Sequence, residues 1–205
     1  MKKICIIDYG LGNIKSLHNA LNYLGYKPEF YTETNSKVFD IIFIPGIGSF
    51  SKASKLLKNS KFEYFINDSI NKSLIFGICL GMQIFFSKGM ENGNNLGLDL
   101  IEGNVDSLED LNNNKKMILP IVGFKEVYFD KEIKILEKFE RKKFYFIHSY
   151  AAKPNVDDDT IALTKIDDFD YCVSVKKNRI FGTQFHPEKS GNIGLEFIKT
   201  VINNF

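Results

Sequence analysis

Tryptophan is absent from this chain, and cysteine, histidine and proline are scarce: three, three and five among 205 residues. The cysteines, Cys5, Cys79 and Cys172, are odd in number and far apart, which excludes a disulfide framework and paired metal-ligand spacing. That usage points to a reducing, cytoplasmic compartment, with no metal and no other cofactor expected. Charge of one sign is missing too. Lys and Arg number 27 against 25 Asp and Glu, a formal +2, so neither nucleic acid nor an anionic membrane surface is the natural partner. Long apolar runs are also lacking. The longest, Leu74 to Phe86, is interrupted by Gly77, Gly81 and Gln83 and falls short of the roughly 20 residues a membrane helix needs. The Met-Lys-Lys start meets Asp8 after one short apolar run, so no export signal is expected.

What is present is 44% apolar residues, enough for a sizeable core. Short β-branched or aromatic runs alternate with longer amphipathic ones, the pattern of an α/β protein with an open, mixed but mainly parallel sheet flanked by helices. A strand from Lys3 to Asp8 leads through Gly10 and Gly12 into a helix on Leu17, Ala20, Leu21 and Leu24, which Gly25 stops. Further strands are predicted at Phe30-Tyr31, Asp40 to Ile44, Leu74 to Ile78, Lys143 to His148, Thr160 to Lys165, Tyr171 to Val175 and Ile180 to Gln184. Helices are predicted at Ala53 to Leu57, Phe62 to Ile70 and Gly194 to Ile202. From Leu96 to Tyr128 the pattern weakens into short runs separated by Gly97, Gly103, Pro120 and Gly123. No repeat, linker or low-complexity block divides residues 1–205, which read as one domain.

The sharpest local feature is Gly77-Ile78-Cys79-Leu80-Gly81, a glycine, any residue, nucleophile, any residue, glycine pattern between a buried strand and an apolar helix. It is a nucleophile elbow with cysteine in the serine position. The turn is so tight that the residues two before and two after the nucleophile must lack bulk. The cysteine should be strained, its sulfur exposed, at a helix N-terminus that favours thiolate. Cys5 and Cys172 have no such context and read as small core residues.

A thiolate nucleophile needs a base that can return a proton to the leaving group, and histidine suits that near neutrality. His18 falls in an amphipathic helix and reads as structural. His148 ends the strand Phe144-Tyr145-Phe146-Ile147 and could line a pocket, but no sequence neighbour would orient it. His186 follows Phe181-Gly182-Thr183-Gln184-Phe185 and precedes Pro187-Glu188, at a strand end, where open α/β sheets place functional loops. Glu188 can hold its imidazole. The expected catalytic set is therefore Cys79, His186 and Glu188.

With these residues in view, the sequence resembles the class I, or triad-type, glutamine amidotransferases. Gly77-Ile78-Cys79-Leu80-Gly81-Met82-Gln83 is similar to that family's nucleophile motif, and Gln184-Phe185-His186-Pro187-Glu188 to its histidine and glutamate motif. More narrowly, Asp8-Tyr9-Gly10-Leu11-Gly12-Asn13, Pro45-Gly46-Ile47-Gly48-Ser49-Phe50 and Phe144 to Tyr150 resemble, in order, the glutaminase subunits of imidazole glycerol phosphate synthases. The resemblance covers nearly the whole chain. It implies a flavodoxin-like fold and hydrolysis of L-glutamine to glutamate and ammonia, which passes to a (β/α)8 cyclase partner in a heterodimer of histidine biosynthesis. It further implies that Cys79 attacks the carboxamide, His186 moves protons and Glu188 fixes the imidazole. The oxyanion would be held by the N–H of Leu80 and one in the Gly46-Ile47-Gly48 loop. Gln83, His148, Ser149 and Tyr150 would hold glutamine's amino acid end.

Two departures from the subfamily pattern fall on the expected partner face. The chain reads Pro120-Ile121-Val122-Gly123-Phe124-Lys125 where methionine, glycine, tryptophan and asparagine are usual after the proline, and Ala151-Ala152 where another aromatic residue is frequent. They leave open a paralogue that supplies ammonia for amino-sugar or surface-glycan synthesis. A stand-alone cysteine hydrolase, active without any partner, and a catalytically silent flavodoxin-like binding module are the readings from other classes.

Overall fold

The computed structural model describes residues 2–31, 37–58, 60–130 and 132–205. Among them a nine-stranded mixed sheet forms the centre of the fold. Its first half is parallel, in the spatial order Glu29–Phe30, Ile4–Ile6, Ile41–Gly46, Leu74–Cys79, Ile180–Thr183. From there the sheet continues antiparallel through Phe169–Lys177, Thr160–Ile166, Ile121–Phe129 and Lys142–His148. The parallel character predicted from sequence thus belongs to the half that carries the elbow. The other half is a meander of longer strands in which exposed and buried residues alternate, as in Phe144, Phe146 and His148 facing inward.

The parallel strands are apolar on both faces because each face is covered. Along Leu74–Cys79, Leu74, Phe76 and Ile78 pack into one core with Phe43, Phe181 and Phe197, while Ile75 packs into the other with Ile42, Ile44, Phe50 and Phe85. Phenylalanine, 19 residues of it, takes the place of the missing tryptophan as the bulky filler. Phe185 lies 4.3 Å from Phe144 and 5.3 Å from Phe197 between ring centroids. Helix Ile14–Tyr23 starts where Asn13 Oδ1 accepts the Ser16 N–H, and Phe50–Leu57 starts on Ser49 in the same way. Helices Lys61–Ser69 and Gly191–Asn204 complete the cover.

Part of the weakly patterned stretch from Leu96 to Tyr128 joins segments on either side of it in a second sheet that the sequence did not suggest. Its four strands are ordered Tyr150–Pro154, Ile101–Ser107, Phe86–Gly89, Asn95–Leu96. His148 ends the last strand of the large sheet and Tyr150 begins an edge strand of the small one, so Ser149 is the crossing point between the two. Among the described residues no helix is long and apolar enough to cross a membrane.

Candidate active site

Cys79 closes its strand with φ 56° and ψ −112°, a conformation that side-chain-bearing residues adopt only at a cost. The two flanking glycines permit the turn. A Cβ on Gly81 would land on the Ile44 carbonyl oxygen, and one on Gly77 on the Gly81 carbonyl. Beyond the elbow the structure departs from the sequence reading twice. The apolar helix is one turn, Leu80–Gln83, because the chain turns through Ile84 and Phe85 to enter the strand Phe86–Gly89. A helix that short has little macrodipole, and its contribution at Cys79 comes from the free N–H groups of its first turn. Nor is the thiol exposed: Cys79 is 6% accessible and lies in a cavity of about 200 Å³, room for one small amino acid.

His186 reaches Cys79 from the neighbouring strand. Ile180–Thr183 runs parallel to Leu74–Cys79 with Thr183 opposite Ile78, so the residues just after it arrive at the level of the elbow. Backbone bonds from Gln184 N to Val173 O and from His186 N to Tyr145 O, both 2.8 Å, keep this stretch extended. Side chains therefore alternate: Phe185 enters the aromatic cluster, and Gln184 and His186 turn towards Cys79. His186 Nδ1–H donates to Glu188 Oε1 at 2.8 Å, with both side chains buried. That bond leaves Nε2 on the side of the sulfur, and among the described residues Nε2 has no hydrogen-bond partner of good geometry. Burial opposes a charged imidazole here. The sulfur of Cys79, by its charge and hydrogen bonding, and the Glu188 carboxylate outweigh burial and raise His186 from 6.5 to about 10. At neutral pH His186 holds its proton.

The remaining expected residues converge on the same cavity. Ile47, Gly48, Leu80, Gln83, His148, Ser149 and Tyr150 all line it. Gly46 is the ladder partner of Cys79, so the Gly46-Ile47-Gly48 segment leaves the sheet beside the elbow. Gly48 has φ +129°, a backbone that favours glycine, with open space where a side chain would stand: Leu11 Cδ2 is 4.0 Å from its would-be Cβ. Gln83 is buried, with Nε2 donating to Tyr150 O and to Gln184 Oε1, both at 2.9 Å. The expectation that no sequence neighbour orients His148 is corrected: Tyr150, two residues on, and Tyr171, from another strand, both hold it. Its Nδ1 is 2.9 Å from the Tyr150 carbonyl oxygen, so it carries the proton, and Nε2 accepts from Tyr171 Oη at 3.2 Å. Burial, aided by the charge of His186 and opposed by the Tyr150 bond, lowers His148 from 6.5 to about 4.

This architecture has known counterparts. Residues 5–202 match the family model for glutamine amidotransferase class-I. The chain belongs to the class I glutamine amidotransferases. Curated relatives of this amidotransferase include proteins named imidazole glycerol phosphate synthase subunit HisH. That of Sulfolobus acidocaldarius is 38% identical over 196 residues, 96% of this chain and 95% of its own length. That of Chlorobaculum tepidum is 35% identical over 199 residues, 96% of this chain and 97% of its own. That of Bacillus subtilis is 37% identical over 204 residues, 95% and 93%. In fold the amidotransferase is similar to a solved structure titled PurLQS from Thermotoga maritima, with TM-score 0.75 at 18% identity over 99% of both chains.

Three residues at this amidotransferase site were given no role of their own from the sequence. Glu91 lines the cavity as its one acidic residue among those described, and its Oε2 accepts the Phe50 N–H at 2.7 Å. It sits between Met90 and Asn92, ahead of the weakly patterned stretch, where nothing local marks it. Gln184 donates from Nε2 to Cys79 Sγ at 3.5 Å, and its period-two relation to His186 was the available signal. The buried hydroxyl of Tyr9 stands against Gly46 with no hydrogen-bond partner among the described residues, and burial and the charge of Cys79 both push its ionisation upward.

Proposed function

We propose that Cys79, His186 and Glu188 hydrolyse L-glutamine to glutamate and ammonia, as the glutaminase half of an imidazole glycerol phosphate synthase. The single observation behind this reading is a strained, pocket-facing thiol flanked by an imidazole that a buried carboxylate anchors. Cys79 Sγ attacks the carboxamide carbon, and the carbonyl electrons move to oxygen. The N–H of Leu80 and one from the Gly46-Ile47-Gly48 loop meet that oxyanion. His186, which carries its proton at neutrality, protonates the nitrogen, and the C–N bond breaks to release ammonia. Water then attacks the thioester and gives one proton to His186; collapse expels Cys79 as the thiolate, and the new carboxylic acid loses its proton to solvent as glutamate leaves. Glu188 holds the imidazole with Nε2 towards the sulfur. Ser149 and Tyr150 shape the end of the cavity for the amino acid group, and Glu91 offers a carboxylate to its ammonium.

A (β/α)8 synthase subunit in the cytoplasm, forming a heterodimer of histidine biosynthesis, is the partner this reading requires. The names of the curated relatives, matched over nearly their full length at 35% and 38% identity, favour it over a sugar-pathway paralogue. Exposed apolar residues beside the cavity support a docked partner: Val122 and Phe124, each 54% accessible, lie on the strand that follows Pro120, and Val122 pairs with Ile147, Pro120 and Ile147 both lining the opening. Phe124 packs on Tyr145 at 5.7 Å where the subfamily has tryptophan. The test is glutamate release by the purified chain with and without a histidine-pathway cyclase. A strong rise on adding the cyclase supports the proposal, and full activity alone, unchanged by any partner, refutes it.

A further inference from the structure

The nucleophile has a second buried neighbour besides His186. Gln184 is fully buried, and its amide is held at both ends: Oε1 accepts from Gln83 Nε2 at 2.9 Å, and Nε2 donates to Cys79 Sγ at 3.5 Å. The orientation is not free. Gln83 offers an N–H to Oε1, so the other end of the Gln184 amide, the donor, must face the sulfur. Gln83 is itself fixed, because the same Nε2 donates to the Tyr150 carbonyl oxygen at 2.9 Å. His148 Nδ1 lies 2.9 Å from that same carbonyl, and His148 is tied in turn to Tyr171. A chain of side-chain amides therefore runs from the edge of the cavity, at Tyr150, through the interior to the reacting sulfur.

We propose that Gln184 is a further catalytic residue, a fixed neutral donor that stabilises the sulfur of Cys79 as thiolate, and that Gln83 is the positioning residue that aims it. The proposal rests on Cys79 being the glutaminase nucleophile. A neutral donor complements His186 in a way a second cation could not. His186 must give up its proton to the departing nitrogen, whereas the Gln184 N–H stays bound and continues to face the sulfur through formation and hydrolysis of the thioester. The order also explains why a substrate-lining residue, Gln83, makes its two donor bonds inward.

The groups whose charge bears on Cys79 are His186 with Glu188 behind it, Tyr9 from the first strand's loop, and His148, Glu91 and Tyr150 around the cavity. All are retained in the variants that test the idea, so a change in the thiol's behaviour reports the donor. The probe is iodoacetamide, small enough for the cavity and itself a carboxamide. The rate of Cys79 alkylation is measured against pH in wild type, Gln184→Met and Gln83→Met, without glutamine or partner, in a Cys5→Ala, Cys172→Ala background. A hydrogen bond to a charged group corresponds to about a tenfold to hundredfold change in equilibrium. Gln184→Met should therefore be alkylated at least about tenfold more slowly near pH 6 and recover towards the wild-type rate at high pH. Gln83→Met, which leaves the donor in place but free to rotate, should fall between. Glutamine turnover should drop in kcat with KM little changed for Gln184→Met, while Gln83→Met should affect both.

An alkylation profile identical in all three proteins would overturn the proposal, as would a Gln184→Met variant that loses rate equally at every pH. Should Gln184→Met fail to fold, the Gln83→Met profile decides alone, because unlatching the amide must slow alkylation at low pH if the amide is the donor. The outcome is separable from that of the parent reading. Alkylation needs no glutaminase activity, so glutamine turnover surviving in Cys79→Ala would remove the proposed function, whereas an unchanged profile would remove only the role of Gln184.

Discussion

His148 makes the protein measurably sensitive to mild acid, and the size of the effect follows from its burial. Unfolded, the imidazole titrates near 6.5; folded, it titrates near 4, because charging it would strand an imidazolium among Phe146, Tyr171 and the proton-bearing His186. Above pH 6.5 the group is neutral in both states and costs nothing. As pH falls from 6.5 towards 4 the unfolded chain takes up a proton that the fold refuses, so stability declines across that window and levels off below it. Each pKa unit is worth about 1.4 kcal/mol, so the loss between pH 7.5 and pH 4.5 should be on the order of 2–3 kcal/mol from this residue alone. Asp106 and Asp159, whose carboxyls burial pushes upward, titrate at acid pH as well, so the test must be differential. His148→Gln keeps a donor for the Tyr150 carbonyl and cannot charge. It should be less stable than wild type at pH 7.5, by about 1–3 kcal/mol for the disturbed bonds, and should lose less stability on acidification. Urea denaturation of both proteins at pH 7.5 and 4.5 measures the four free energies. Equal acid losses in the two proteins would show that His148 is not held neutral and would refute the argument.

Cys79→Ala should abolish glutamate release yet stay folded, read by a glutaminase assay beside a thermal melt, and added ammonium salt should restore product formation in the complex. His186→Ala should be the worse enzyme than Glu188→Gln, because it removes both proton transfers. In Glu188→Gln the imidazole loses a raising influence, so the alkaline limb of kcat against pH should move to lower pH. Gly48→Val meets no clash but cannot hold φ +129° easily. It should melt close to wild type while losing about 100- to 1,000-fold in turnover within the complex, the typical cost of one oxyanion donor, and far less in the free subunit. Gly81→Ala, whose Cβ would strike the Ile44 carbonyl in the buried sheet, should cost about 3 kcal/mol or more of stability in urea.

The elbow and the histidine segment were legible because their chemistry is local. Gly77, Cys79 and Gly81 declare a tight turn by their spacing, and His186 and Glu188 stand two apart, near enough to bond once Pro187 bends the chain. Strands such as Leu74–Cys79 could be found because burial on both faces leaves an unbroken apolar run. The second sheet could not be found. Its strands Phe86–Gly89 and Asn95–Leu96 are short, and Ile101–Ser107 mixes Glu102, Asn104 and Asp106 into a run whose meaning comes only from its partners. Glu91 was hidden for the same reason, since Phe50, which it holds, is distant in the chain; for His148 only the Tyr171 contact is distant, and the Tyr150 carbonyl two residues on reaches it only because the chain turns at Ser149. The exposed sulfur expected of an elbow turned out buried because Tyr150 and its neighbours, arriving from the small sheet, wall the cavity.

That wall also sorts oxidants by size. A thiol at the protein surface is accessible to glutathione disulfide and to peroxide alike, whereas Cys79 sits in about 200 Å³ of space, too small for a tripeptide disulfide. Hydrogen peroxide fits. Damage to this nucleophile should therefore run through sulfenic acid and onward to the irreversible acids. Cys5 and Cys172, both buried with thiols pushed up to about 12, offer no resolving partner that would trap it as a disulfide. The enclosure that suits one amino acid shields the sulfur from reversible capping by glutathione and leaves it open to the smallest oxidants.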